Sequence, residues 1–118
     1  MSYSALIIGC GNIGALYDLN VPEKVWTHAK AFSTTKDIAF SVADVNIKHA
    51  RKIATKYKTA VVTLTDKTDF SEFDIVSITS PTTTHFGWLK KMFQQNVPLI
   101  ICEKPVAANE KELNELVS

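Results

Sequence analysis

An apolar run over residues 5–8 leads directly into a glycine-rich turn near the start of the chain. Three glycines of this turn are spaced as G-x-G-x-x-G and stand at Gly9, Gly11 and Gly14. In this pattern the first glycine allows a tight turn after a strand, the second leaves room for a pyrophosphate, and the third lets a helix pack closely on the sheet. The N–H groups and the partial positive charge at the start of that helix favour a phosphate anion. The stretch therefore predicts a strand–turn–helix unit that binds a dinucleotide.

A glycine-rich turn that binds no ligand is the alternative interpretation. At average glycine usage, the spacing arises by chance in roughly 4% of chains of this length. The chain contains only four glycines, and three of them fall in this turn. Such clustering favours the dinucleotide-binding interpretation.

The composition indicates one globular domain over residues 1–118, with 46% hydrophobic residues. Because 13 basic residues are balanced by 12 acidic ones and form no block, we expect no nucleic-acid partner. The longest apolar run is too short to cross a bilayer and the first residues lack a signal-peptide pattern, so we expect a cytoplasmic protein without a membrane partner. Cys10 and Cys102, expected to lie about 9–10 Å apart on the sheet, are too distant for a disulfide.

Apolar runs bounded by glycine, proline or polar residues predict five strands, over about residues 3–9, 38–44, 60–63, 74–79 and 98–102. Helical patterns begin near Asn12, Thr27, Asn46, residue 84 and Asn109, whereas a polar connection through Asp66 and Asp69 joins the third and fourth strands. A loop over residues 18–23 interrupts the first helix, because Pro22 cannot lie inside a helix. The strands are too apolar to alternate, which indicates a parallel sheet covered on both faces. We therefore predict a three-layer α/β fold of the Rossmann type, with strand order 3-2-1-4-5.

Several local signals mark the ends of these helices. Thr27 and Asn46 are suited to cap helix N-termini, and Asn109 forms a capping box with Glu112. The three threonines at residues 82–84 offer capping hydroxyls to the fourth helix, whose apolar residues are Phe86, Leu89, Met92 and Phe93. Asn96 is suited to the left-handed conformation at the end of that helix.

Ligands of such sheets bind beyond the carboxyl ends of the strands, where the strand order reverses. Here that point lies between the first and fourth strands. The residues that follow the predicted strands are Gly9 to Gly14, Asp44, Ser80, Pro81, Glu103 and Lys104. The sequence therefore predicts that they converge on one edge of the sheet.

Asp44 follows the second strand and is the candidate for the adenosine ribose. It comes 30 residues after Gly14, where roughly 20 is usual, and the loop around Pro22 accounts for the excess. A carboxylate there accepts hydrogen bonds from both ribose hydroxyls and repels a 2′-phosphate, which favours NAD over NADP. Two alternatives remain: Asp44 is only an acid at a helix N-terminus, or the nearby Lys48 and Arg51 bind a phosphate.

Glu103-Lys104-Pro105 places two opposite charges directly after the fifth strand. At the cleft, Lys104 could donate to a substrate oxygen whose charge changes during reaction. Glu103 could bind a ribose or orient the lysine. The alternative is an ordinary exposed ion pair. His85, at the start of the fourth helix, is either a site residue or a partner for nearby backbone, and we assign Cys10 no thiol chemistry.

These motifs occur in the order found in one family. They are Gly9-Cys10-Gly11-Asn12-Ile13-Gly14, Thr27-His28-Ala29, Val42-Ala43-Asp44, Asp74-Ile75-Val76-Ser77-Ile78, Pro81 with His85, and Glu103-Lys104-Pro105. Together they resemble the N-terminal domain of the glucose–fructose oxidoreductase / inositol dehydrogenase (Gfo/Idh/MocA) family. The resemblance covers essentially the whole chain, and its E-K-P motif is more specific than the glycine pattern.

The resemblance implies a domain that binds NAD or NADP, in an oxidoreductase acting on a CH–OH or keto group of a sugar, inositol or related compound. It implies that the pyrophosphate is held by Gly9, Gly11, Asn12, Ile13 and Gly14, and the adenosine ribose by Asp44. The nicotinamide side would be lined by Thr79, Ser80, Pro81 and His85. Glu103 would contact the cofactor ribose, and Lys104 would reach both cofactor and substrate. No metal site is implied.

Members of that family continue into a second α/β domain, which supplies most substrate contacts, the usual catalytic Asp and His, and the dimer interface. This sequence ends at Ser118, within the helix after the fifth strand. We therefore expect a truncated domain with little turnover of its own, in which Lys104 is the one catalytic assignment. Exposed apolar residues, with Leu113, Leu116 and Val117 as candidates, would favour self-association. The alternatives are a stand-alone nucleotide-binding regulatory or interaction module without catalysis, and a fold kept only for structure.

Overall fold

The computed structural model describes residues 2–10, 27–65, 67–104 and 106–117. Within these ranges the strands are β1 (Tyr3–Ile8), β2 (Ile38–Ala43), β3 (Ala60–Val61), β4 (Ile75–Ile78) and β5 (Leu99–Cys102). All neighbouring strands pair in parallel, in the order β3-β2-β1-β4-β5. The predicted sheet and its order are confirmed. β3 is shorter than expected, because after Val61 only the Val62 N–H continues the pairing, through Val42 O at 2.8 Å.

Four α-helices lie in the described ranges: α1 (His28–Thr34), α2 (Ile47–Tyr57), α3 (His85–Gln94) and α4 (Glu110–Val117). Two short 3₁₀ helices, Phe70–Glu72 and Thr82–Thr84, precede β4 and α3. The glycine turn from Gly11 onward, the loop around Pro22 and Pro105 lie outside the described residues, so the predictions made for them stay predictions. None of the described helices is long and apolar enough to cross a membrane.

The sheet is buried on both faces, and its central strand shows this most clearly. Ala5 and Ile7 of β1 pack with α1 and α2 on one face, whereas Leu6 and Ile8 pack with α3 on the other. All four residues are at most 1% exposed. Burial on both sides explains why β1 reads as a continuous apolar run rather than an alternating one.

Most of the predicted helix ends are confirmed. Thr27 and Asn46 accept hydrogen bonds from the second or third N–H of α1 and α2, and Asn96 has a φ of 55°. Asn109 accepts from the Glu112 N–H at 2.9 Å, and the Glu112 carboxylate accepts from the N–H of Ala108. This is the predicted capping box, with its return bond one residue earlier than usual.

The prediction that threonines cap α3 is wrong. Residues 82–84 form a 3₁₀ turn that runs directly into the helix, where Thr82 O accepts from the backbone N–H of His85 and no threonine side chain caps the helix. The Thr84 hydroxyl donates to Pro81 O at 2.6 Å instead.

The buried face of α3 also differs from the expected one. It consists of His85, Leu89 and Met92, whereas Phe93 is exposed. A helix that turns His85 inward carries residue 93 to the outer edge of the buried stripe.

The last helix packs against α3 through Leu116, which contacts the core beneath it. Leu116 was expected to be exposed, and this expectation is wrong. Leu113 and Val117 are exposed as expected, at 46% and 76%.

Candidate functional site

A cavity of about 560 Å³ opens at the carboxyl ends of the strands, at the point where the strand order reverses. Every predicted site residue that the structure describes lines this cavity: Gly9, Asp44, Thr79, Ser80, Pro81, His85, Glu103 and Lys104. Gly11, Asn12, Ile13 and Gly14 lie outside the described residues. The structure therefore brings together residues that are up to 95 positions apart in the sequence, from Gly9 to Lys104.

Gly9 ends β1 in a conformation that requires glycine. Its φ is +99°, and a Cβ at this position would lie 2.4 Å from the backbone nitrogen of Ser80. The backbone N–H of Gly9 donates to Ala43 O at 2.8 Å, and the Thr79 hydroxyl donates to Gly9 O at 2.5 Å. The turn is therefore held between the ends of β2 and β4, against the backbone of Ser80.

Asp44 connects the glycine turn to the start of α2. Its Oδ2 accepts from the Cys10 N–H at 2.7 Å, and its Oδ1 accepts from the Asn46 N–H at 2.8 Å. A carboxylate has about four acceptor positions, so both oxygens keep the capacity to accept a further donor from the cavity. Asp44 is thus both a structural anchor and an acidic group at the cavity wall.

The sequence offers two basic residues near Asp44 as alternative phosphate ligands. Lys48 and Arg51 are both exposed, and neither is among the described residues that line the cavity. They belong to the solvated face of α2. His49, which sequence reasoning missed, does line the cavity, with Nδ1 at 3.9 Å from Asp44 Oδ2. Its place one turn into α2, after an N-cap, is the signal that could have identified it.

His85 lines the cavity and also contacts the backbone of the loop at Ser80. Its side chain is almost fully buried, and its Nε2 lies 2.8 Å from Ser80 O. Since a carbonyl only accepts, Nε2 carries the proton. This contact agrees with the alternative interpretation of His85 as a partner for nearby backbone.

Glu103 has a side-chain hydrogen-bond partner that the sequence did not reveal. Its Oε1 lies 2.6 Å from Nε2 of His28, the first residue of α1, and His28 Nδ1 contacts the Ser77 hydroxyl. Lys104 is exposed at the cavity edge and forms no ion pair with Glu103 in the part of the chain that is described. Nothing in the local sequence links positions 28, 77 and 103, because only the fold brings them together.

The surroundings of both thiols favour their protonated form. Burial, reinforced by the negative charge of Asp44, raises the pKa of Cys10 to about 12. Burial, with the nearby Glu103 carboxylate, also raises the pKa of Cys102. Both cysteines are free. No group of three metal-ligating side chains occurs within the described ranges.

Comparison with known proteins extends this description. The sequence profile of the GFO_IDH_MocA family, described as an oxidoreductase family with an NAD-binding Rossmann fold, matches residues 3–118. No curated protein matches the chain at a significant level.

Solved structures share the fold over nearly the whole chain. A protein assigned as a myo-inositol dehydrogenase from Sinorhizobium meliloti 1021 is 26% identical, with a TM-score of 0.78 over 98% of this chain and 32% of that one. The UDP-N-acetylglucosamine 3-dehydrogenase GnnA from Acidithiobacillus ferrooxidans is 25% identical, with a TM-score of 0.74 over 99% of this chain and 34% of that one.

A third structure was determined with a nicotinamide dinucleotide bound. It is an oxidoreductase from Agrobacterium radiobacter in complex with NAD+, L-tartaric acid and magnesium, 19% identical, with a TM-score of 0.76 over 99% of this chain and 32% of that one. At this identity the likeness concerns the fold alone. The present chain spans about a third of the length of these structures.

Proposed function

The chain belongs to the GFO_IDH_MocA oxidoreductase family, and on that basis we propose that it is the cofactor-binding domain of an oxidoreductase that acts on a CH–OH group. The cofactor is a nicotinamide dinucleotide, bound in the cavity at the carboxyl ends of β1, β2, β4 and β5. Substrate contacts and the general base come from elsewhere in the active enzyme. The 118 residues by themselves bind the cofactor and have little or no turnover.

One observation carries this proposal: the described residues assigned to the two riboses, the nicotinamide and the substrate line a single cavity. Gly9 holds a backbone conformation closed to other residues, while Asp44 and Glu103 supply acceptors for ribose hydroxyls. Lys104 supplies a cation at the same edge. These residue types fit a dinucleotide at a topological switch point.

The residues take distinct roles in this proposal. Asp44 accepts from the adenosine ribose, Thr79, Ser80 and Pro81 form the wall beside the nicotinamide, with His85 beneath them, and Glu103 accepts from the second ribose. Gly9 begins the phosphate-binding turn that Gly11, Asn12, Ile13 and Gly14 complete. When bound, the dinucleotide accepts or donates a hydride. Lys104 donates a hydrogen bond to the substrate oxygen and stabilises the negative charge that develops on it.

We favour NAD over NADP because of Asp44. A 2′-phosphate on the adenosine ribose would lie against this carboxylate, whose oxygens already accept two backbone hydrogen bonds and so hold it in place. Like charges in contact are destabilising. Lys48 and Arg51, which could compensate, lie on the solvated face of α2.

The substrate class and the compartment are further parts of the proposal. Similarity to a structure assigned as a myo-inositol dehydrogenase and to a sugar-nucleotide dehydrogenase supports a polyhydroxylated substrate. Two free cysteines agree with a reducing compartment such as the cytoplasm.

Isothermal titration calorimetry with NAD and NADP tests the cofactor assignment. We expect the folded chain to bind NAD and to bind NADP about tenfold more weakly, which corresponds to about 1.4 kcal/mol of charge repulsion. Asp44→Asn, which removes the charge and keeps the shape, should reduce this difference. Arg51→Gln is the matched control on the solvated face and should leave it unchanged. A folded chain that binds neither nucleotide at millimolar concentration would contradict the proposal.

A further inference from the structure

A series of side-chain hydrogen bonds, buried at one end and partly exposed at the other, runs from the middle of the sheet to the cavity. It begins at Ser77 in β4, whose side chain is fully buried, and passes through the imidazole of His28 at the start of α1. It ends at Oε1 of Glu103, directly after β5, 2.6 Å from His28 Nε2. Three separate elements therefore meet behind one carboxylate.

The direction of each hydrogen bond in this series follows from the groups at its two ends. A carboxylate oxygen only accepts, so His28 Nε2 carries a hydrogen and donates a hydrogen bond to Glu103. In the neutral imidazole Nδ1 then accepts, and the Ser77 hydroxyl donates to it. Every donor and acceptor of the imidazole is thus used, and its orientation is fixed from the sheet side.

The burial of the three residues differs in a way that separates their roles. Glu103 lines the cavity and its side chain is 36% exposed, whereas neither His28 nor Ser77 is among the described residues that line it. A Ser–His–Glu set of this kind would suggest a nucleophile, but Ser77 has no exposed surface on which a substrate could be attacked. Of these three side chains, only the carboxylate of Glu103 is available to a ligand in the cavity.

Glu103 is also held through its backbone, since its N–H donates to Ile78 O at 3.0 Å. Its backbone and Oε1 are therefore both fixed, and Oε2 has no hydrogen-bond partner within the described part of the chain. We propose that His28 is a positioning residue that holds the Glu103 carboxylate in the conformation that binds the cofactor ribose. This inference rests on the proposed function, because it assigns the carboxylate to a bound dinucleotide.

Two conservative variants of His28 separate this role from simple packing. The amide nitrogen of glutamine reaches the position of Nε2, whereas that of asparagine reaches only the position of Nδ1. His28→Gln therefore keeps the donor to Glu103, and His28→Asn loses it. Ordering a free glutamate side chain on binding costs affinity of about 2- to 12-fold, so we expect His28→Asn to weaken NAD binding by that factor and His28→Gln to bind within about twofold of the wild type.

The experiment is NAD titration calorimetry on the wild-type chain, both His28 variants, Glu103→Ala and the double variant His28→Asn/Glu103→Ala. If His28 acts through Glu103, His28→Asn has no further effect once Glu103 is alanine. Phe32→Leu, a core change in the same helix, is the control: it should lower the thermal unfolding temperature without changing NAD affinity.

Equal affinities of the wild type and His28→Asn, equal losses for the two His28 variants, or additive losses in the double variant would each overturn the inference. In these cases the wild type still binds NAD, so the proposed function stands. If the folded wild-type chain does not bind NAD, the proposed function fails and this inference fails with it.

Discussion

Two independent constraints act on Gly9. The positive φ of +99° disfavours any side chain, and the backbone of Ser80 occupies the space that a Cβ would need. We predict that Gly9→Ala lowers the free energy of unfolding by about 1–3 kcal/mol from backbone strain alone, with a further cost from the contact. Urea denaturation followed by circular dichroism measures this loss.

Gly87 provides the matched control for that experiment. It lies in α3, and a Cβ there would meet nothing within 4 Å. Gly87→Ala should therefore stabilise the chain by about 0.5–1 kcal/mol, because alanine loses less conformational freedom in a helix. If the two substitutions changed stability equally, this would contradict the claim that a side chain at Gly9 is disfavoured by its φ and by the Ser80 backbone.

The thiol of Cys10 gives a prediction of pH dependence. Its pKa is raised from 9.0 to about 12 in the native chain, so the native state keeps a proton that the unfolded chain loses. This contribution to stability is fully present below pH 9.0 and is lost as the pH rises towards about 12. The stability difference between the wild type and Cys10→Ala should fall by up to ~1.4 kcal/mol per pH unit in that window.

The unfolding free energies of the wild type and Cys10→Ala, measured between pH 8 and pH 11, give this difference. The effects of all other titrating groups are common to the two proteins and cancel in the comparison. A difference independent of pH would show that the Cys10 thiol is not desolvated as the structure indicates.

Single residues were predictable from sequence when their signal was local. Gly9 and Asp44 follow strands directly, so their places in the cavity followed from the strand assignment. The partner of Glu103 was not predictable, since His28 is 75 positions away and a histidine at a helix start has many roles. Such a contact depends on the tertiary structure alone.

At the scale of elements, capping governs where the helices begin. Asn109 and Glu112 satisfy N–H groups at the start of α4, a helix of eight residues with no fully buried side chain. We predict that Asn109→Ala reduces stability by about 1 kcal/mol. Asn114→Ala, in the exposed interior of the same helix, should instead be slightly stabilising, because alanine is the better helix former.

Thermal unfolding of the two asparagine variants checks this, since both remove the same side chain from one helix. Equal effects would mean that the cap does not hold α4 in place.

Sequence patterns predicted each described strand and α-helix correctly, but their ends less well and the two 3₁₀ helices not at all. The turn over residues 82–84 contains three threonines that favour capping, yet their backbone continues as a 3₁₀ helix and satisfies the same N–H groups. The inward turn of His85 then displaced Phe93 from the buried face. In both cases the backbone that leads into the helix, rather than the preference of single residues, determines where the helix begins and which of its faces is buried.

For the whole molecule, exposed apolar side chains predict self-association. Leu113 and Val117 lie one turn apart on α4 and are both exposed, and Leu99 and Ile101 of the edge strand β5 are also exposed. We expect reversible self-association that rises with concentration. Replacing Leu113 and Val117 by lysine should reduce it, whereas Asn114→Lys, which adds charge to the same helix, should not.

Sedimentation velocity over a hundredfold range of concentration measures this behaviour. A single monomeric species at every concentration would contradict it.

The overall topology was the most predictable level of the structure. Five apolar runs, most of them joined by helical patterns, allow few arrangements, because parallel crossovers are right-handed and short. The same rule places the strand ends at one edge, so the position of the cavity is predictable from the sequence. Its detailed contacts, such as Asp44 to Cys10, required the structure.

Amide shift mapping by NMR tests the central claim most directly. On addition of NAD to the labelled chain, we predict shifts of the amide signals of Gly9, Asp44, Ser80 and Glu103 that saturate together, with the exposed end of α2 at Lys56 unaffected. Saturable shifts confined to residues away from the strand ends, or no shifts at millimolar NAD, would contradict a dinucleotide site at this edge of the sheet.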